Sequence, residues 1–139
     1  MKPEILPKSK GIKHIFEALG YSWDGIKVAF KEAAFKMECI CNIIVFVVAC
    51  LFAFLGWFSI TQAAILIAAG FLVMVVELLN TAIEAVVDLV SPGYNELAKH
   101  AKDMGSAAVG IVTLINLVLW GGFLLNTLLN YLHCSKCGG

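Results

Sequence analysis

The 139-residue sequence contains no arginine and few charged residues of any kind. Acidic and basic residues make up 14% of the chain, whereas 60% of its residues are hydrophobic. An ordinary soluble domain carries about 25% charged residues, so that class is excluded and a membrane protein is predicted. The formal net charge is zero, and the charge balance therefore gives no indication of nucleic acid or another polyanion as a partner.

Several sequence signals are also missing. The N-terminal segment MKPEILPKSKGIKHIFEALG lacks the continuous apolar core and the small-residue cleavage site of a secretory signal. We therefore expect membrane insertion to rely on internal spans. The chain has no P-loop, no kinase catalytic loop and no dinucleotide fingerprint, so no soluble nucleotide-binding fold is indicated by motif.

The cysteines give little evidence of a metal centre. Three of the five lie in or beside the first apolar run, where a thiol behaves as a small hydrophobic group. Cys134 and Cys137 form a C-x-x-C pair directly after His133. Such a pair is half of a four-ligand zinc site or one disulfide, and we interpret residues 133–139 as a tail.

Three apolar segments reach the length of about 20 residues that a helix needs to cross a bilayer. We predict one all-α membrane domain over residues 1–139, with an amphipathic surface region over the first 38 residues. Pro92 and Gly93 break the chain after the second segment, as a turn requires. The remaining predicted parts are transmembrane helices over 39–58, 60–90 and 106–132, a cytoplasmic turn over 91–105 and the tail.

The distribution of lysine predicts the orientation of these spans. Seven of the ten lysines precede residue 37, the connection over 55–62 has no charge, and the connection over 92–103 carries Lys99 and Lys102. The positive-inside rule therefore places the N-terminus and the second connection in the cytoplasm. Lys136 lies on the opposite side in this arrangement.

A stretch before the first span has the pattern of a helix that lies on the membrane surface. Apolar residues recur there at i, i+3, i+4 and i+7 among several lysines, as in amphipathic helices on anionic lipid. Gly20 is the predicted stop of this helix, and Ser22 is the predicted cap of the next one. The apolar positions are Ile12, Ile15, Phe16 and Leu19.

The second span ends in VELLNTAIEAVVDLV, which carries three carboxylates. At about 100° per residue, Glu77, Asn80, Glu84 and Asp88 fall within an arc of about 80° on one helix face. Glu77 lies about 22 Å into a hydrocarbon core of about 30 Å, Glu84 lies near the cytoplasmic boundary, and Asp88 lies outside. Insertion of Glu77 costs less than the roughly 2.5–3.5 kcal/mol of an acid at mid-depth, and the preceding apolar run offsets that cost.

Two interpretations of this polar face remain open. In the first, the four side chains only hold helices together by hydrogen bonds, as polar groups do in membranes. Alternatively, the deeper acid accepts a proton while the shallower one binds a hard divalent cation. Glu32 is either a further ligand or an ordinary solvated acid between Lys31 and Lys36. A proton-coupled carrier would also place acids inside a bundle.

The segment AKDMGSAAV begins the third span and also has two interpretations. Lys102 and Asp103 either contact a phosphorylated ligand or serve as a charged helix flank. Small residues recur here at four-residue spacing, a pattern that lets membrane helices approach closely. These are Ala101, Gly105, Ser106 and Gly110.

Three segments closely resemble the prokaryotic diacylglycerol kinase family of small membrane enzymes. They are GYSWDGIKVAFKEAAFKME (20–38), VELLNTAIEAVVDLV (76–90) and YNELAKHAKDMGSAAV (94–109), and the likeness extends over about residues 12–125. The resemblance implies a homotrimer of three-span protomers in the bacterial inner membrane. It also implies transfer of the ATP γ-phosphoryl group to the hydroxyl of diacylglycerol, a membrane lipid, to give phosphatidate.

The resemblance further implies a role for each matching residue. Glu77 is expected as the general base, with Glu32 and Glu84 holding Mg²⁺ on the nucleotide phosphates. Asn80 is expected to position the reacting groups, with support from Glu38, Ser106 and Asp88 around the lipid substrate. Besides Glu32 and Glu84, the expected ATP-contacting residues are His14, Tyr21, Ser22, Gly93, Tyr94, Asn95, Lys102 and Asp103.

The chain departs from the expected family pattern at a few positions. His14 and His100 stand where arginines are expected, and a neutral histidine neutralises phosphate less well. Undecaprenol kinase, a related branch with the same acidic motif, is the alternative enzyme, although the MGSA after KD resembles the diacylglycerol branch. A non-enzymatic, proton-carrying membrane assembly is the alternative of a different class.

Overall fold

A computed structural model describes residues 11–137, and within them the chain forms four α-helices and no strand. Three of these helices are long and apolar enough to cross a membrane, which confirms the predicted all-α class and the three spans. Residues 1–10 of the predicted surface region and 138–139 of the tail lie outside the described part. The helices are α1 (Ile12–Ala29), α2 (Ala33–Phe54), α3 (Ile60–Val90) and α4 (Glu96–Cys137).

Helix α1 is one continuous helix, so the predicted break at Gly20 is wrong. The hydroxyl of Ser22 donates to the carbonyl of Ala18 at 3.0 Å, which satisfies it inside the helix instead of at a helix start. A glycine within a helix costs only about 1 kcal/mol relative to alanine, and the neighbouring turns of α1 tolerate it. The helix begins instead after Gly11, whose φ of 74° is in the left-handed region.

Helices α1 and α2 meet at a short elbow over residues 30–32. The rings of Phe30 and Phe35 contact edge to face, with centroids 5.3 Å apart, and Phe35 is only 2% exposed. Glu32 precedes the first residue of α2 in an extended conformation. The elbow therefore presents the Glu32 carboxylate at the start of the first span.

Helices α2 and α3 are joined by a tight turn with a glycine stop. Gly56 has a φ of 73°, and its N–H donates to the carbonyl of Ala53 while Trp57 N–H donates to that of Phe52. This pattern closes the last carbonyls of α2. Ser59 and Gln62 then cap α3 reciprocally, each side chain bonding the backbone N–H of the other.

Helix α3 packs against both α2 and α4. Its buried positions follow one another at alternating spacings of three and four residues, and they therefore share one face. At the aromatic end, where α2 turns into α3, Phe58 contacts Trp120 and Phe123 with centroids 6.0 and 6.1 Å apart. The buried positions of α3 are Ala63, Leu66, Gly70, Val73, Glu77 and Asn80.

The polar end of the bundle is the turn between α3 and α4. Helix α3 ends at Val90, next to the predicted Pro92–Gly93 break. The side-chain oxygen of Asn95 accepts from the N–H groups of Leu97 and Ala98 at 2.9 and 3.2 Å, so α4 begins well inside the turn predicted over 91–105. Hydropathy locates the lipid-buried part of a helix, whereas hydrogen bonding carries the helix into its polar flanks.

Candidate functional site

A cavity of about 320 Å³ opens between the elbow, α3 and α4, toward the polar end. We call it the acid cavity, because three carboxylates line it. Its walls come from three separate parts of the chain, so it exists only once the helices have packed. The lining residues are Glu32 and Ala34 from the elbow and α2, Glu77, Asn80, Thr81 and Glu84 from α3, and Ser106 and Val109 from α4.

Glu77 is the most deeply buried acid of the described chain, with 6% of its surface exposed. It lies on the packed face of α3, seven residues from Gly70 and four from Val73, where it continues an otherwise apolar row. Within residues 11–137 no lysine or histidine forms an ion pair with it. A carboxylate taken out of water without a cation is costly, so an ionised Glu77 requires a partner from outside the described helices.

Asn80 links the buried part of the acid cavity to its shallower part. Its side-chain amide donates to the Glu84 carboxylate at 3.2 Å, and the residue is 8% exposed. The other amide atom, Oδ1, is buried without a hydrogen-bond partner and lies against the Cα of Gly105. Asn80 therefore holds Glu84 on one side and packs on α4 with the other.

A second cavity, of about 140 Å³, lies at the turn between α3 and α4. We call it the turn cavity. Lys102 crosses it to form an ion pair with Asp88, which ties the end of α3 to the start of α4. The predicted site residues that line it are Asp88, Gly93, Tyr94, Asn95 and Lys102.

The other predicted site residues line neither of these cavities. His14, Tyr21 and Ser22 are exposed along α1, and Asp103 is exposed in an ion pair with Lys99 at 2.7 Å. Glu38 lines a deeper cleft of about 230 Å³ that runs from the level of Val73 toward the aromatic end. The structure thus gathers the predicted base and metal ligands in one cavity and the predicted ATP loop in another.

The acid cavity offers oxygen donors suited to Mg²⁺. No group of three histidine, cysteine or acidic side chains in the described residues forms a ready cage for a metal. Glu32 and Glu84 nevertheless line the same cavity. Mg²⁺ is usually held by one or two carboxylates together with substrate phosphates, so these two residues fit an ion shared with a nucleotide.

Thr81 is a lining residue that the sequence analysis did not identify. It lies four residues after Glu77, at about +40° on the helical wheel, and so falls beside the predicted arc. The arc is defined by carboxylates and an amide, and an arc about 20° wider that admits hydroxyls includes Thr81. The packing role of Gly105 had a weaker signal, the small-residue spacing of α4.

Comparison with known proteins identifies the family. Residues 20–124 match the family described as prokaryotic diacylglycerol kinase. The chain is 45% identical over 111 residues to a diacylglycerol kinase of Escherichia coli strain K12, covering 79% of this chain and 88% of that protein. It is 42% identical over 126 residues to that of Pseudomonas aeruginosa, covering 90% and 99%. The diacylglycerol kinase of Helicobacter pylori strain 26695 is 42% identical over 125 residues, covering 88% and 93%.

The family match covers the second half of α1, all of α2 and α3 and most of α4, and it includes every residue that lines the acid cavity. The resemblance expected from the three sequence segments is thereby confirmed. The chain belongs to the prokaryotic diacylglycerol kinase family of membrane lipid kinases.

Proposed function

We propose that this protein transfers the γ-phosphoryl group of ATP to the free hydroxyl of diacylglycerol, giving phosphatidate and ADP, with Glu77 as the general base. The observation that supports this most strongly is the burial of the Glu77 carboxylate in a cavity shared with two other acids. An ionisable residue kept inside a membrane span at such cost generally marks a functional site.

The position of the acid cavity suits a substrate from each phase. A diacylglycerol hydroxyl lies at the boundary between headgroups and hydrocarbon, and ATP arrives from the aqueous side. The Glu77 carboxylate accepts the proton of the lipid hydroxyl while the hydroxyl oxygen forms a bond to the γ-phosphorus. The bond between the γ-phosphorus and the oxygen that bridges it to the β-phosphate breaks, and that oxygen leaves with ADP.

Phosphoryl transfer depends mainly on positioning and on neutralisation of charge. Glu32 and Glu84 would hold Mg²⁺, which supplies positive charge to the β- and γ-phosphates when it is bound. Asn80 keeps the Glu84 carboxylate in place through the 3.2 Å hydrogen bond. Ser106 and Glu38 flank the lipid-facing side in this proposal.

The turn cavity is the proposed nucleotide-contacting region. Lys102 is partly exposed and is able to exchange its contact with Asp88 for a phosphate. Asp103 follows it in the chain, and the turn residues 93–95 line the same cavity. His14, Tyr21 and Ser22 would approach the nucleotide from α1.

The proposed arrangement in the membrane follows from the charges and the exposed apolar surfaces. The lysine distribution places the polar end and α1 on the cytoplasmic side. The apolar positions Ile12, Ile15, Phe16 and Leu19 are 58–74% exposed, which suits contact of α1 with a lipid surface. A homotrimer would cover the outward apolar face of α3, which includes Phe71, Leu72, Val75 and Leu79.

A lipid-by-lipid assay tests the proposed substrate. The purified protein in mixed micelles is given ATP labelled at the γ-phosphate, with and without Mg²⁺, and diacylglycerol or undecaprenol as the lipid alcohol. We expect Mg²⁺-dependent labelling of diacylglycerol well above that of undecaprenol. Preferential labelling of undecaprenol would assign the chain to the other branch, and the absence of any labelled lipid would contradict kinase activity altogether.

A further inference from the structure

At Gly105, helix α4 packs directly against the polar face of α3. It is buried, and a Cβ built on it would collide with Oδ1 of Asn80 and lie 3.3 Å from Cγ of the same side chain. The next nearest atom is the Asn80 Cα, 3.9 Å away. Any side chain at position 105 would therefore displace the amide of Asn80 before it met anything else.

The Asn80 amide is not free to move aside without consequence. The amide group is planar and turns as one unit about its last side-chain bond. When Oδ1 is pushed away from α4, Nδ2 moves as well, and the hydrogen bond from Nδ2 to Glu84 Oε1 is lost or redirected. Because Oδ1 has no hydrogen-bond partner of its own, the amide is oriented by its packing against Gly105 together with the bond from Nδ2 to Glu84.

We propose that Gly105 is a positioning residue for phosphoryl transfer, acting through Asn80 on the Glu84 carboxylate. The inference rests on the proposed function of the acid cavity, because in that function the Glu84 carboxylate must hold a fixed orientation to bind Mg²⁺. Residues that orient a metal-binding carboxylate usually contribute about 10- to 100-fold to metal affinity or activity. The missing side chain at position 105 thus matters to the reaction as well as to helix packing.

The test compares Gly105→Ala with a glycine on the same helix that has free space around it. Gly110 has no atom within 4 Å of its added Cβ, so Gly110→Ala adds the same methyl group without the collision. The cycle is completed by Asn80→Ala and by the double variant Gly105→Ala/Asn80→Ala. For each protein we would measure the apparent Tm in detergent, kcat, the KM for ATP and the Mg²⁺ concentration that gives half-maximal rate.

We expect Gly105→Ala to lower kcat or raise the Mg²⁺ requirement by about 10- to 100-fold, with Gly110→Ala unchanged. In the Asn80→Ala background the same methyl group should have almost no further effect on rate or Tm, because the atom it strikes is gone. If Gly105→Ala alone fails to fold, recovery of the Tm in the double variant supports the inference.

Three results would overturn it. These are a folded Gly105→Ala protein with wild-type kinetics, losses that add independently in the double variant, and a double variant that is as unstable as Gly105→Ala. The Tm values of the wild type, Gly105→Ala, Asn80→Ala and the double variant report on the contact between Gly105 and Asn80 even when no lipid is labelled. A failure of the proposed function is therefore separable from a failure of this inference.

Discussion

Glu77 and Asn80 show, among single residues, how a membrane helix accommodates buried polar groups. Both lie on the same face as Ala63, Leu66, Gly70 and Val73, so the row that joins the helices at one end becomes the wall of a cavity at the other. The helical wheel was sufficient to predict that these side chains share a face. Their burial depends on α2 and α4, which no local pattern describes.

Lys102 has two alternative roles, contact with a phosphate or a charged helix flank, and a single variant distinguishes them. Its ion pair with Asp88 is partly exposed, with the two side chains 36% and 66% accessible, and exposed pairs contribute about 0–1 kcal/mol to stability. We therefore expect Lys102→Met to leave the apparent Tm nearly unchanged. Because the proposed role is to neutralise phosphate, the KM for ATP should rise about tenfold or more, as for loss of a charged hydrogen bond.

Lys27→Met is the matched control for this experiment. Lys27 forms a similar exposed pair, with Asp24 at 3.0 Å on α1, and it lines neither the acid cavity nor the turn cavity. Steady-state kinetics of lipid phosphorylation at varied ATP would compare the two variants. An unchanged KM in Lys102→Met, or an equal rise in both proteins, would leave Lys102 with only the role of a charged helix flank.

At the scale of helices, the contact between α2 and α3 repeats the glycine and asparagine pairing seen between α3 and α4. A Cβ added to Gly70 would collide with Oδ1 of Asn42 and approach Val45 to 3.7 Å. The amide of Asn42 is held at its other atom by the carbonyl of Glu38, at 3.0 Å. In both places a polar side chain on one helix lies flat on the backbone of the next, as small residues permit in membranes.

This pairing predicts that Gly70→Ala destabilises the bundle. Overpacking of a close contact costs about 1–3 kcal/mol, so the apparent Tm in detergent should fall clearly. Gly122→Ala is the control, because no atom lies within 4 Å of its added Cβ. If the apparent Tm of Gly70→Ala equals or exceeds that of Gly122→Ala, the helices accommodate a methyl group at this contact without loss of stability, which contradicts the prediction.

The helix ends show where sequence reasoning stopped being sufficient. The break at Pro92 and Gly93 follows from a strong local signal, and α3 ends just before it at Val90. The continuity of α1 through Gly20 did not follow, because a single glycine marks both a stop and a tolerated interior position. The early start of α4 after Asn95 was hidden, since hydropathy does not record capping.

The whole molecule places ten of its fifteen predicted site residues in two cavities that the sequence could not distinguish. Glu84 and Asp88 are one turn apart on α3, yet Glu84 lines the acid cavity and Asp88 the turn cavity. The path of the chain through residues 91–95 decides which side Lys102 reaches. Residue types, spacing and the family resemblance supplied the candidate residues, whereas their grouping into separate cavities required the packed helices.

The proposed homotrimer predicts how the protein assembles in detergent. The outward face of α3 is a continuous apolar strip whose members include Leu72, Val75 and Leu79, each about half-exposed. We expect the detergent-solubilised protein to sediment as three copies after correction for bound detergent. Replacement of Val75 by lysine should dissociate the trimer, because a buried charge without a partner is costly. A fully active protein with the mass of one chain would contradict the proposed homotrimer.

The most direct measurement is the rate of lipid phosphorylation by Glu77→Gln, which keeps the size of the side chain but removes the carboxylate that accepts the proton. Glu96→Gln is its control, because Glu96 is exposed in the first turn of α4 and lines neither cavity. General-base catalysis contributes about 10²- to 10⁴-fold, so we expect kcat to fall by that factor in Glu77→Gln while the Tm and the KM for ATP change little. A folded Glu77→Gln protein that labels diacylglycerol at the rate of the control would contradict the assignment of Glu77 as the base.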